Sequence, residues 1–316
     1  MSGGITVSRF WEVLQVVAPV IVIVLCGVMI RRRRLVTESG MGEIKAVLVN
    51  ICLPAVLFRT FYAMQFTWRE ALVFASLSLT TLLAFLLGFA AARLLRAESK
   101  ITPWLCTTIE GGSIGYALFI LLFGQENLYH LALLDAGNAL VQWSLVMTML
   151  ALRTDEKKPL RETLRSLVTP INIAIVAGLF CSVTGLGRLV SASAFGQVLE
   201  AVLDFVGTPV SAMIMMTVGF ALSLKEVQWG ETLKAVLARG LIFALLGCAV
   251  YQLVSRIFPE DPLYSGAVLI FFILPPTYAY SVYVRDPKES SFLGGFLAVY
   301  TLLTIAGFTL LASLNG

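Results

Sequence analysis

"IEGGSIGYALF", residues 109–119, lies in the middle of an apolar run, and its reading decides the fold. Gly111-Gly112-Ser113-Ile114-Gly115 spells G-x-S-x-G, the pattern that presents the nucleophile of many hydrolases. The same letters place three glycines, each about 1 kcal/mol less favourable in a helix than alanine, beside one acid, Glu110, in a stretch otherwise apolar enough for a membrane helix. Either Ser113 is a nucleophile or the glycines interrupt a helix.

A nucleophilic serine needs a base held close to it. The single histidine, His130, lies well along the chain, beyond the end of this run, and no lysine falls at its depth. No C-x-x-C, H-x-H or DDxxD pattern occurs, and the five cysteines (Cys26, Cys52, Cys106, Cys181, Cys248) are scattered through apolar runs without metal-ligand spacing. No enzymatic activity, metal or organic cofactor is therefore expected, and the glycines read as a helix break.

Composition supports that reading. Of the 316 residues 58% are hydrophobic and only 13% charged, whereas soluble domains carry about 25% charged residues. A hydrocarbon core about 30 Å thick requires about 20 apolar residues per helix. Ten apolar runs meet this, at 11–30, 44–62, 70–92, 101–123, 130–152, 168–187, 197–222, 233–257, 262–283 and 290–312. The first run lacks the basic flank and small-residue cleavage site of a secretory signal, so it is expected to remain as a span.

Eighteen of the 23 Lys and Arg fall in alternate loops, beginning with "RRRR" at 31–34, and five (Arg9, Arg59, Arg69, Arg188, Arg256) fall on the other side. Basic loops stay inside. The expected topology is a multi-pass protein of the cytoplasmic membrane with both termini outside. The net charge of +4 is explained by these anchors, and no nucleic-acid partner is expected.

"KAVL" at 45–48 and "EAVL" at 200–203 precede Pro54 and Pro209 by equal distances, and "GYAL" at 115–118 aligns with "TYAY" at 277–280. Five spans per half force the second half into the membrane upside down. The chain thus divides into a first five-helix repeat (1–152), a cytoplasmic linker (153–167) and an inverted repeat (168–316). Inverted repeats are the architecture of secondary transporters, with the site between halves at the midplane. Pro275-Pro276 in span 9 breaks its helix at the place equivalent to the glycines of span 4, since each proline removes a donor and clashes with the preceding turn.

Two restarted half-helices offer amides around Gly112, Ser113 and Ile114 and around Thr277 and Tyr278, which attract anions. No Lys or Arg is expected at mid-membrane, so these dipoles would be the main positive elements and the ligand a small organic anion. Glu110, deep in span 4, is the candidate for carrying a coupled proton; a structural acid bonded to break amides is the alternative. Asp135, Asn138 and Gln142 share one face of span 5, lining a cavity or bonding another helix. Asn50 fits either the kink at Pro54 or a ligand. Tyr116, Tyr278 and Tyr280 supply aromatic walls or packing, and Arg59 is expected to reach the outer interface. The expected substrate-contacting set is Asn50, Glu110, Gly111, Gly112, Ser113, Tyr116, Asp135, Asn138, Pro275, Pro276, Thr277 and Tyr278.

"LVNICLPAVLF" (48–58), "IEGGSIGYALFILLFGQENL" (109–128), "LLDAGNALVQW" (133–143), "MTVGFALSL" (216–224), "ILPPTYAY" (273–280) and "YTLLTIAGF" (300–308) together resemble the auxin efflux carrier family, which includes plant auxin exporters and bacterial permeases for malonate and malate. The resemblance implies an all-α membrane fold of ten helices in two inverted repeats, with broken helices 4 and 9 crossing at mid-membrane. It also implies a scaffold and a moving part working by elevator-like alternation. Many relatives carry asparagine before the first glycine and proline just after "IG". Glu110 and Ala117 stand there instead, so that asparagine's substrate contact does not carry over. The function expected is secondary transport of a small carboxylate, coupled to a proton. A sodium-coupled or uniport carrier, and a receptor or regulator on the same fold, are the alternatives. A homodimer in the lipid bilayer is compatible with all of them.

Overall fold

The computed structural model describes residues 18–19, 21–62, 67–147, 149–150, 170–222, 227–280, 284 and 286–315. The expected linker 153–167 lies outside the described residues. Helices and turns account for the described elements, with no strand among them.

Residues 21–32 form α1. Thr37, whose hydroxyl accepts from Gly40 N at 3.0 Å, caps α2 (Glu38–Val47). A π-helical turn at Leu48–Cys52 then absorbs Pro54 and passes directly into α3 (Leu53–Tyr62). A reciprocal capping box between Thr67 and Glu70 starts α4 (Trp68–Leu94). The glycine-bearing span is divided into α5 (Thr102–Leu105), a π turn at Gly111–Gly115, and α6 (Tyr116–Phe123). Gly124, at φ 85°, ends α6 in a conformation only glycine adopts cheaply. α7 (Tyr129–Val141) runs into a further π turn, Gln142–Val146. The second half supplies α8 (Pro170–Val183), α9 (Leu186–Ser191), α10 (Ala194–Gly207), α11 (Val210–Ala221), α12 (Trp229–Ile257), α13 (Pro262–Ile273) and α14 (Pro287–Asn315).

Five helices among the described residues are long and apolar enough to cross a membrane: Glu38–Tyr62, Trp68–Leu94, Ala194–Ala221, Trp229–Ile257 and Pro287–Leu314. Their outward faces are apolar, with Leu94, Phe205 and Leu241 all more than 75% exposed. A surface of this kind belongs in lipid rather than water. The chain is an all-helical membrane protein.

The two halves of the sequence are not two bodies. α3 packs against α8 and α10, while α1 lies against α11. At that second contact a methyl group on Gly27 would strike the Met216 carbonyl, and one on Gly219 the Val24 carbonyl, so glycine is what allows the helices to touch. The other group comprises α4–α7 with α12–α14: α4 contacts both α7 and α12, and α6 bridges to the first group by packing on α11. Gly137 of α7 sits so close to α4 that an added Cβ would lie 2.5 Å from the Phe74 carbonyl oxygen. Each group thus draws helices from both halves.

Candidate functional site

The break in the glycine-bearing span falls earlier than the glycines suggest. The helix stops at Leu105, residues 106–110 are non-helical, and the chain re-coils at Gly111. The glycines are needed for approach instead. A Cβ on Gly111 would collide with the Asp135 carboxylate, and one on Gly115 would lie 2.5 Å from Leu274 Cδ1. The second break follows Ile273, at Leu274–Thr277, where Pro275-Pro276 forbids helix continuation.

The two breaks meet, and each satisfies the other's backbone. Glu110 N donates to Pro275 O at 2.8 Å. Tyr278 N donates to Glu110 Oε2 at 3.0 Å, and Thr277 N to Thr108 Oγ1 at 3.4 Å. The carbonyls released by the missing turns are also accounted for. Ile109 O accepts from Asn138 Nδ2 at 3.0 Å and Ile273 O from Thr304 Oγ1 at 2.7 Å, while Trp104 O takes Tyr280 OH at 2.8 Å in addition to Thr107 N at 3.0 Å. Leu105 O and Leu274 O both accept from Arg239, at 2.5 and 3.0 Å. An orphaned buried backbone group would cost about 1–3 kcal/mol, and far from water no solvent can relieve it. These partners are what make non-helical backbone tenable at this depth.

A cavity of about 380 Å³ opens beside the crossing, between the two helix groups. One wall carries Glu110, Gly111, Gly112, Asp135, Gln142, Thr277 and Tyr278 from the crossing. The facing wall, from α2, α3, α8 and α11, is apolar (Leu53, Ile171, Ile175, Ile214, Val218) apart from Lys45 and Thr217. Behind the polar wall, Tyr116 OH donates to Asp135 Oδ2 at 2.8 Å, and Gln142 Nε2 to Thr277 Oγ1 at 3.3 Å. Asn138 is 1% exposed and accepts from Thr81 Oγ1 at 3.3 Å, tying α7 to α4.

Of the expected substrate-contacting residues, Glu110, Gly111, Gly112, Asp135, Thr277 and Tyr278 line this cavity. Five do not. Asn50 is exposed, and its amide bonds Ala46 O of its own helix at 2.7 Å, one turn back, which is where an i−4 carbonyl lies. Tyr116 and Asn138 are buried behind the wall, supporting Asp135 and the Ile109 carbonyl. Pro275 and Pro276 are buried in the crossing, where they shape the backbone. The Ser113 side chain lies outside the described structure, though its backbone belongs to the π turn.

Arg59 does not simply reach outward: its Nε lies 3.0 Å from Asp204 Oδ1, joining α3 to α10. His130 is buried between Asn127 O (2.8 Å) and Asp261 Oδ2 (2.9 Å), away from Ser113 along the chain. Two basic residues were missed. Lys45 lines the cavity, and Arg239, expected at a loop edge, is wholly buried at the crossing. Against the expectation that only helix dipoles would be positive at the breaks, a guanidinium is buried against both of them. For Arg239 one signal was available: it falls inside the apolar run 233–257 rather than in the loop before it, and the structure sets it almost three turns into α12.

Comparison with protein-family models, and with curated proteins, found no match to this chain.

Proposed function

We propose that the protein is a secondary carrier of a small organic anion, built from ten membrane helices in two inverted five-helix repeats. The observation that carries this reading is the cavity, which lies at a crossing of two broken helices and between two groups of helices rather than inside one. A site at such a seam can be exposed to either side when one group moves against the other, which is the requirement for alternating access. The packing of α1 on α11, repeated by α8 on α3, supports the inverted repeat. The resemblance of the span motifs to the auxin efflux carriers points the same way.

The walls define the ligand class. An apolar face opposite a polar face suits a short carboxylate with a hydrocarbon body. Lys45 and the amides of the restart at Gly111 supply attraction for the carboxylate. Glu110 and Asp135 sit in the same cavity and would repel it if both were ionised. Binding is therefore accompanied by proton uptake, with Glu110 as the proposed carrier. The proposed setting is the cytoplasmic membrane, with termini outside and the basic loops inside.

The test is a thermal-shift screen of the purified protein against mono- and dicarboxylates at several pH values, followed by uptake of any hit into proteoliposomes under an imposed proton gradient. Stabilisation by a carboxylate, greater at low pH, with gradient-driven accumulation is the expected result. Stabilisation without movement of the ligand would favour a receptor, and preferential stabilisation by organic amines would overturn the anion assignment.

A further inference from the structure

Arg239 bonds both breaks of the crossing from outside the substrate cavity. It is 0% exposed. Its Nη1 and Nη2 donate to Leu105 O at 2.5 Å and Leu274 O at 3.0 Å. Its guanidinium carbon lies 4.1 Å from the Phe243 ring centre and 4.9 Å from that of Tyr300. Neither aromatic ring lines the substrate cavity; both face an apolar groove among α12, α13 and α14.

The two carbonyls have a particular origin. In unbroken helices Leu105 O would accept from residue 109 and Leu274 O from residue 278. Here Tyr278 N is turned to Glu110 instead. The carbonyl ends of two half-helices, α5 and α13, are thereby left converging on one point, where their oxygens concentrate negative potential. In broken-helix carriers such carbonyl ends are where a coupling cation binds. A guanidinium suits the position because its planar fork reaches two acceptors at once, it is weakly hydrated, and it stacks on aromatic faces. Being covalently attached, it cannot leave with a gradient.

We propose that Arg239 is a built-in counter-cation that permanently occupies the half-helix carbonyl ends, so that no sodium ion binds at the crossing and the transport cycle runs without sodium. The transport part rests on the carrier reading above; the occupancy part does not.

The experiment compares wild type, Arg239→Lys and Arg239→Ser as purified proteins in sodium chloride and in choline chloride at equal ionic strength. The wild type should melt at the same temperature in both salts, within about 1 °C. Arg239→Lys, which keeps a cation but loses the fork, should melt lower and remain indifferent to sodium. Arg239→Ser leaves the carbonyls open and should melt at least about 3 °C higher in sodium than in choline. A sodium-specific rise in the wild type, or equal indifference of Arg239→Ser, overturns the inference. Should Arg239→Ser not fold, a sodium-specific rise in either of the other two overturns it, and indifference in both upholds it. In proteoliposomes, replacing sodium by choline on both sides should leave wild-type uptake unchanged, and a threefold or greater loss refutes the transport consequence. Absence of any uptake would count against the carrier reading alone, because the melting comparison still decides occupancy.

Discussion

Glu110→Gln separates the charge of this residue from its place in the crossing. Glutamine preserves the side-chain length and an acceptor oxygen for Tyr278 N, which Glu110 Oε2 meets at 3.0 Å. The charge and the ionisable proton are lost, and the second carboxylate oxygen becomes an amide donor. A substrate carboxylate held about 4 Å from an ionised Glu110 is repelled by about 4 kcal/mol at an effective dielectric of 20, close to a thousandfold in affinity. Lys45 lines the same cavity and offsets part of this, so a thousandfold is the upper bound. The wild type should therefore take up one proton with each substrate. Its affinity should be greatest at low pH and fall by up to tenfold per pH unit wherever Glu110 is ionised in the free protein. Glu110→Gln should bind with nearly constant affinity, retain exchange, and lose proton-driven accumulation. Titration calorimetry in buffers of different ionisation enthalpy reads the proton directly, about one per substrate in the wild type and about zero in the variant. Equal uptake in both proteins refutes the assignment. If Asp135→Asn abolishes uptake and Glu110→Gln does not, the proton resides on Asp135.

Tyr116→Phe removes the donor 2.8 Å from Asp135 Oδ2 and should cost about 1.5–3 kcal/mol if that carboxylate is charged, read as a lower denaturation midpoint. Asn138→Leu leaves Ile109 O without the donor it has at 3.0 Å, with an expected loss of about 1–3 kcal/mol in the same assay. Gly111→Ala drives a methyl group into the Asp135 carboxylate, so substrate binding should fall by at least about tenfold, by calorimetry, even where the protein still folds. Impermeant maleimide applied to intact cells should label a cysteine placed at Glu260 and spare one placed at Glu98; the reverse pattern would invert the proposed topology.

The prolines made the second break legible, because Pro275-Pro276 can neither donate nor accommodate the preceding turn wherever it packs. The first break was legible in existence but not in place. Three glycines within five residues weaken a helix without fixing where it stops, and the stop at Leu105 is set by Arg239 and by the backbone around Pro275. Glu110 and Asp135 could be found because an acid in an apolar run has few uses. Asn50 looked equally significant, yet an asparagine can satisfy itself on its own helix, and sequence spacing does not reveal which way the helix is rotated. Arg239 was hidden by its neighbours. "KAVLARG" reads as the end of a basic loop, whereas α12 begins at Trp229 and carries the arginine inward. Lys45 was obscured for the same reason, since α2 begins at Glu38 rather than near the lysine.

The reciprocal bonding of the two breaks also bears on how the protein is made. When residues 102–123 leave the ribosome, the groups that will satisfy Glu110 N and Leu105 O do not yet exist. They belong to Pro275 and Arg239. The later of these arrives roughly 165 residues after Glu110, which at about 5–20 residues per second means a wait on the order of 10–30 s. A polar gap cannot stand bare in lipid for that time. The first half must therefore be held by the insertion machinery, remain near the aqueous interface, or form a provisional straight helix across 106–110 that is later undone. Truncation between the halves should yield a product that is degraded or retained rather than a stable half-protein, and co-expression of the missing half should restore it.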